Sequence, residues 1–574
     1  MNLRRTLEKL VYRLALLVDR YRVSERDADV ALSAVLGRSD ALTGIHLPSG
    51  RCDLASTPPN GRSRAILLTN TLSIRHRPNA QRSCLEENDG NVSFVAPTDQ
   101  STDVAMTLCV DLDGTLVRSD TLHENILLLL RTSPRSLVSA LATLSHGRAA
   151  FKRAVSSRVA LRPDLLPYNE KLVAYLAEQA AQGRRILLVT AADRLVADGV
   201  AEHLGIFEGV LASDGSTNLK ADAKVSQIRR YLNGEHFEYA GDSRSDIPVW
   251  KAAAAAILVN PTSSIRQALR NSGVPITMEF CDGGKFWAFI RAMRIYQWSK
   301  NLLIFAPLFL SHTILEAAKL AITAEAFVAF SAAASAIYVI NDLLDLDSDR
   351  QHVRKRHRPI AAGTLSIMEA TALAILLLVI SLVISLRMPP HAGILLVLYL
   401  VSSFAYSIFV KTQVFLDVIT LAGLYTVRLL FGGVVASIVI SAWTLAFSIF
   451  FFTSLATCKR LSELRGDGVK NKGPLPGRAY SQTDLLSLTA LATSSGYVAV
   501  LILALYLNSP EVVVLYGHPR VLWFLVPVLM YWISRTIMMA NRGAMHDDPI
   551  VFAFGDRASQ VVGLVALAVV VGAI

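Results

Sequence analysis

NDLLDLDSDRQHVRKRHRPIAAG, residues Asn341–Gly363, begins directly behind a long apolar run and sets Asp342, Asp345, Asp347 and Asp349 ahead of a block of arginine, lysine and histidine. At helical spacing Asn341, Asp345 and Asp349 recur at i+4 and Asp342 and Asp345 at i+3. A helix leaving the apolar run would therefore carry one stripe of oxygen ligands. Carboxylates at a helix C-terminus oppose the macrodipole and repel one another, which calls for a cation. Magnesium bridging a phosphorylated substrate meets that need, because it takes a few carboxylates together with phosphate oxygens. The basic block, with Lys355, Arg356 and Arg358, reads as further phosphate ligands or as a membrane-orienting anchor. A solvated acidic loop is the bland alternative.

Outward from this stretch the chain reads as a membrane protein. Of its 574 residues 52% are hydrophobic and 18% charged, and the mean hydropathy is +0.41. Apolar runs near 301–317, 323–343, 368–386, 392–410, 415–436, 439–457, 484–507, 521–540 and 558–574 predict about nine transmembrane helices. Arg350, Arg354, Lys355, Arg356 and Arg358 follow the second run, Lys411 the fourth, and Lys459, Arg460, Arg465, Lys470, Lys472 and Arg478 the sixth. The opposite loops carry little beyond Arg387 and Arg520. This asymmetry predicts a multi-pass inner-membrane protein with these loops and the soluble domain ahead of the first apolar run cytoplasmic, and the C-terminus outside. It also accounts for part of the net charge of +11, so nucleic acid is not the expected partner. Two further polar clusters lie in the same set of loops: Lys459, Arg460, Glu463 and Asp467, and Tyr406, Lys411 and Asp417.

The first hundred residues suggest little chemistry. Residues 1–21 have apolar positions at helical spacing but charges in every turn, and residues 40–100 are rich in Ser, Asn, Pro, Arg and Thr, as a disordered linker is. The five cysteines, Cys52, Cys84, Cys109, Cys281 and Cys458, form no CxxC pair and indicate neither a disulfide framework nor a zinc site.

Between these regions lies a second chemical module. In TLCVDLDGTLVRSD, residues 107–120, a short apolar strand delivers Asp111 and Asp113 to its C-terminal end, where Gly114 permits a sharp turn. Carboxylates at i and i+2 share one side of a strand, and ligands bind at that edge of open α/β sheets. GRRILLVTAAD ends a second strand near Thr190, NLKADAKVSQIRRYL offers Lys220 and Lys224, and FEYAGDSRSDIPVW places Asp242 and Asp246 after a third strand. Four such elements in this order suit a nucleophile, an acid/base, a phosphate cradle and a metal site.

That order resembles the haloacid dehalogenase (HAD) superfamily over about residues 105–275, which implies an α/β Rossmann-like fold. The resemblance implies Asp111 as nucleophile and Asp113 as general acid/base. It likewise implies a phosphate-binding Thr190, a charge-neutralising Lys224, and Asp111, Asp113, Asp242 and Asp246 around Mg2+. Residues 117–167 look like its helical cap. From about residue 290 onward the chain resembles the UbiA superfamily of intramembrane prenyltransferases, whose NDxxDxxxD motif falls on Asn341, Asp342, Asp345 and Asp349. Where aromatic-substrate members carry a second DxxxD pair, this chain has Lys459, Arg460, Glu463 and Asp467. YQWSKNLLIFAPL, CKRLSEL and DDPIVFAFGDRAS are instead similar to the decaprenyl-phosphate phosphoribosyltransferase branch. That likeness implies Mg2+ and diphosphate on Asp342, Asp345 and Asp349 with Asn341 assisting. Phosphate groups fall to Lys355, Arg356, Arg358, Lys411, Lys459 and Arg460, with Tyr406 and Glu463 beside the substrate. The expected partners are a membrane lipid, polyprenyl phosphate, and a phosphorylated small-molecule donor. An ordinary prenyltransferase and a non-catalytic lipid transporter are the alternatives. The domains so drawn are 1–100, 101–280 and 290–574.

Overall fold

The computed structural model describes residues 92–94, 106–467, 479–545 and 548–574. The expectations for residues 1–91, and for Lys470, Lys472 and Arg478, lie outside the described residues. Val92–Phe94, in the stretch expected to lack structure, forms a strand.

Seven strands make one sheet: β1 Val92–Phe94, β2 Thr107–Val110, β3 Ile186–Asp193, β4 Gly209–Ser213, β5 Phe237–Gly241, β6 Ala255–Val259 and β7 Ile276–Phe280, in the order β1-β7-β6-β5-β2-β3-β4. All pairs are parallel except β1 with β7. The central strands are mostly apolar and buried because both faces of the sheet are covered. Leu108 and Val110 pack with Leu188 on one face, while Cys109 packs with Leu187 and Val189 on the other, as a two-residue period requires. β2 lies between β3 and β5: the chain runs from β2 through β3 to β4 on one side and then crosses to β5 on the other, which opens a crevice at the C-terminal end of β2. Helices Thr121–Thr132, Pro134–Ala142 and Arg148–Ser156 fill the insert after β2 and close on their own small core of Leu129, Ala140, Phe151 and Val155.

The described residues from Lys285 onward form helices joined by turns. Among the described residues seven helices are long and apolar enough to cross a membrane: Ala317–Leu344, Ile367–Ser385, Pro390–Ile408, Leu416–Val435, Ala442–Gly466, Gln482–Leu507 and Pro519–Asn541. Pro549–Gly555 and Arg557–Ala573, bent by 89°, make an eighth if taken as one span.

The expected helix at 301–317 is a correction. Residues Ile295–Phe305 wind as a 3-10 helix, followed only by the short helix Ala306–Leu310. The stretch runs back along helix Ala317–Leu344: Trp298 bonds Ser335 at 2.9 Å, Asn301 bonds Ser331 at 2.9 Å, and the Phe305 and Phe327 rings lie 5.7 Å apart. At about 2.0 Å per residue its 3-10 part alone covers about 22 Å of that path. Irregular backbone is tolerated at membrane depth where protein encloses it, and Lys300, Asn301 and Ile304 are buried. Gly432 lets the stretch approach, since a Cβ there would stand 2.0 Å from the Ile304 carbonyl oxygen. The helix stripe expected at 341–349 is likewise interrupted. Ala317–Leu344 is capped by Asp345, and Leu346–Gln351 continues as a separate turn.

Candidate functional site

At the crevice beside β2, Asp111, Asp242 and Asp246 each offer an oxygen within 4.8 Å of the others. Gly114 has φ +78°, and a Cβ there would lie 2.2 Å from Asp242 Oδ2, so only glycine fits. Lys224 reaches in from helix Asp222–Tyr231 and places Nζ 3.1 Å from Asp111 and 3.5 Å from Asp246. The fully buried Tyr239, which sequence reasoning missed, accepts from Lys224 at 2.7 Å and donates to Asp246 at 2.9 Å. Ser243 donates to the other Asp246 oxygen through its backbone N–H and its hydroxyl. Thr190 is buried on β3, its hydroxyl accepting from Ala192 N–H at 3.0 Å. Lys220, the alternative lysine, is exposed. The Asp113 carboxylate stands outside the trio and accepts from Thr121 N–H at 2.8 Å. A cavity beside it is lined by Asp120, Asn125, Lys152, Ser156 and Asp193 among others.

Burial dominates the acids here. It pushes Asp111 up to about 6, with Lys224 opposing and Asp246 reinforcing the rise. Burial and then Asp120 push Asp113 up to about 7, and burial with Asp111 and Asp246 pushes Asp242 up to about 8. Three hard oxygens with too little compensating charge suit a divalent cation such as Mg2+. The folded state holds protons that the unfolded chain has already released above pH ~4, so stability falls as pH rises through the folded values. Scanning fluorimetry of the full chain should show melting that falls between pH 5 and 8.5. Added Mg2+ should raise it more at pH 8 than at pH 6, and Asp242→Asn should flatten both trends. A pH-independent response to Mg2+ counts against the site.

The second site lies where helix Ala317–Leu344 ends. Asp342 and Asp349 are buried and share Arg358, at 3.1 and 2.6 Å. Arg294, which no sequence signal singled out, also bonds Asp342. Asp345 points elsewhere, to Lys411 at 3.1 Å. The buried amide oxygen of Asn341 has no hydrogen-bond partner among the described residues. Lys355 and Arg356 are exposed on the turn Lys355–His357. The loop expected at 459–467 belongs to helix Ala442–Asp467, on which Lys459 and Arg460 diverge. Lys459 faces Asp548 at 3.5 Å. Arg460 is wholly buried, donating to Asp417 at 2.6 Å, to Tyr406 at 2.5 Å and to Glu463. No donor nitrogen of Arg460 is left without an acceptor.

Deeper in the bundle is a polar network absent from the expected site. Lys300 and Tyr425 bond Asp548 at 2.8 Å, and Arg428 bonds Asn301 at 2.9 Å while lying over the rings of Phe330, Tyr399 and Tyr425. The Arg294 guanidinium lies over the ring of Tyr338, 5.2 Å from its centroid. A lone lysine or arginine inside an apolar run was the available signal.

A family model described as UbiA prenyltransferase family matches residues 302–546, and one described as haloacid dehalogenase-like hydrolase matches residues 108–251. "Uncharacterized protein y4nM" of Sinorhizobium fredii is 37% identical over 466 residues, spanning 80% of this chain and 90% of that one. The chain belongs to the UbiA prenyltransferase family. It carries a haloacid dehalogenase-like hydrolase domain ahead of the UbiA part, and is an enzyme of transferase and phosphatase type in a multi-pass membrane protein. Another relative, "Nodulation protein NoeC" of Azorhizobium caulinodans, is 34% identical over 282 residues, 48% of this chain and 90% of that one. "Decaprenyl-phosphate phosphoribosyltransferase" of Mycolicibacterium smegmatis is 40% identical over 183 residues, 31% of this chain and 57% of that one.

Proposed function

We propose that the UbiA part transfers 5-phosphoribose from phosphoribosyl diphosphate to a polyprenyl phosphate and that the HAD-like part then removes the 5-phosphate. The observation that carries the first step is that every aspartate of the motif faces a cation: Asp342 faces Arg294 and Arg358, Asp349 faces Arg358, and Asp345 faces Lys411. A prenyl donor brings only a diphosphate. Phosphoribosyl diphosphate adds a 5-phosphate, and the acceptor adds a phosphate monoester, so cations interleaved with the acids suit the larger anionic load. The name of the mycolicibacterial relative supports the same reading.

In the transfer the ribose C1–O bond to diphosphate breaks as C1 bonds an oxygen of the lipid phosphate. Asp342 and Asp349, which share Arg358, would hold Mg2+ with the orphaned Asn341 oxygen, and Asp345 would join them on leaving Lys411. The metal, when bound, stabilises charge on the leaving diphosphate. Arg294, Arg358 and Lys411 take phosphate oxygens, Lys355 and Arg356 stand at the mouth, and Lys459 serves the acceptor phosphate beside Asp548. Arg460 acts through Tyr406 and Glu463, which it holds against the ribose. The density of arginine and lysine in these loops supports placing both sites in the cytoplasm, with the C-terminus on the other face.

In the second step Asp111 attacks the 5-phosphate phosphorus and forms an aspartyl-phosphate. Asp113, near neutral in its protonation, donates to the departing ribose oxygen, and water then hydrolyses the intermediate. Lys152 lines the cavity beside Asp113 and donates to the Ala191 carbonyl at 2.6 Å. In this reading it would meet the phosphodiester that the lipid product retains. Lys152→Ala should raise KM for the phosphoribosyl lipid by ~10- to 100-fold, the worth of one charged hydrogen bond, while para-nitrophenyl phosphate hydrolysis changes little. Equal losses on both substrates would remove this role.

The whole reading is tested by mass spectrometry of lipids formed by membranes given phosphoribosyl diphosphate, polyprenyl phosphate and Mg2+. Ribosyl lipid is expected. Product from labelled prenyl diphosphate and an aromatic acid, with none from phosphoribosyl diphosphate, would replace it with ordinary prenyl transfer.

A further inference from the structure

Arg350 follows the last aspartate of the acidic motif, yet its side chain turns away from it. Its guanidinium donates to both oxygens of Glu124, at 2.6 and 3.1 Å, and through Nε to the Ala361 carbonyl at 3.1 Å. The side chains of Arg350 and Glu124 are 6% and 3% exposed, and 226 residues separate them in sequence. A buried ion pair adds little net stability, because desolvation offsets the attraction. Either partner alone, however, is an uncompensated buried charge. Such a pair selects one arrangement of the segments that carry it.

Those segments belong to the two sites. Glu124 lies in the first turn of helix Thr121–Thr132, whose Thr121 N–H holds Asp113 and whose Thr121, Leu122 and Asn125 line the adjoining cavity. Arg350 lies in Leu346–Gln351 beside Asp349, and its bond to Ala361 closes the loop that presents Arg358 to Asp342 and Asp349. The seam around the pair is tight. Leu127 packs on the cluster of Leu343, Leu346 and Ile360, Lys285 bonds Glu369 at 2.7 Å, and a Cβ on Gly363 would stand 2.7 Å from that of Arg118.

We propose that Glu124 and Arg350 are a positioning pair that couples the two active sites. The helix that walls the phosphatase cavity cannot shift without withdrawing the counter-charge of Arg350 and loosening the loop that carries Arg358. Motion that admits a substrate to Asp111 therefore alters the diphosphate site, and a filled diphosphate site steadies the phosphatase wall. The assignment of substrates rests on the two-step reading above, whereas the coupling rests on the geometry.

The test uses the full chain in detergent micelles. Glu124→Gln is assayed for transfer from phosphoribosyl diphosphate to polyprenyl phosphate across a Mg2+ titration. Arg350→Gln is assayed for hydrolysis of para-nitrophenyl phosphate, and each variant is also given the other's assay. Each variant should impair the site on the far side of the seam: transfer kcat falls about tenfold with a higher half-saturating Mg2+, and the KM for hydrolysis shifts severalfold. The double Gln variant should be no worse than the worse single one, and the exchange Glu124→Arg with Arg350→Glu should recover much of both activities. If each substitution damages only its own side, the coupling is overturned. If the singles fold poorly, the exchange variant decides: wild-type melting with both activities still impaired overturns it. If the wild type transfers no phosphoribose, the two-step reading falls, and an unchanged hydrolytic KM in Arg350→Gln separately overturns the coupling.

Discussion

In membranes carrying Asp111→Asn, the lipid product is expected to keep its 5-phosphate, with hydrolysis down on the order of 10⁴-fold or more, as for loss of a nucleophile. The substitution is nearly isosteric, and Lys224 keeps Tyr239 and Asp246 as partners, so the crevice holds its shape. Phosphoribosyl transfer should continue, since Asp111 stands on the sheet and touches no residue of the acidic motif. Because burial raises Asp111 to about 6, removing its charge should also raise the melting temperature near pH 8, where the carboxylate would otherwise be ionised. Chromatography with mass spectrometry gives the ratio of phosphoribosyl to ribosyl lipid. A wild-type ratio would mean that the 5-phosphate is removed elsewhere.

Arg460→Met is expected to deplete folded protein from the membrane. Arg460 and Asp417 are 0% exposed and bonded at 2.6 Å, and Tyr480 donates to the same carboxylate at 2.5 Å. Removing the cation leaves Asp417 charged and buried, at a cost of about 3–5 kcal/mol, against a typical total stability of about 5–15 kcal/mol. Pairing Arg460→Met with Asp417→Leu removes both charges and should restore most of the yield, though not the transfer rate, because Tyr406 and Glu463 lose their anchor. Size-exclusion yield in detergent, measured with transfer kcat, separates these effects. Normal yield from Arg460→Met alone would show that Asp417 needs no cation.

Residues that share a strand end or one helical stretch were legible in the sequence, and partners from remote segments were not. Asp111 and Asp242 meet because the parallel strands β2 and β5 deliver their ends to one edge, Asp246 follows in the next turn, and Lys224 enters from the helix that leads into β5, an order that the apolar runs already imply. Asp342 and Asp349 meet through local turns. Lys300 with Asp548 joins residues 248 apart, and no local pattern couples them. Neighbours on a helix point about 100° apart, which is why Lys459 and Arg460, alike in the sequence, face different surroundings. Residues 301–317, which take in the end of the 3-10 stretch and one short helix, read as an ordinary span because hydropathy counts apolar residues and cannot register how the backbone between them is wound.

The small strand β1 has a practical consequence. It covers the outer edge of β7, pairing Val92 with Phe280 and Phe94 with Met278. Composition invites trimming the chain at about residue 100, just ahead of the Asp111 strand. Such a cut would bare a row of unpaired amides on β7, the kind of edge through which sheets join and precipitate. A shortened version meant to stay monodisperse should therefore start upstream of Val92.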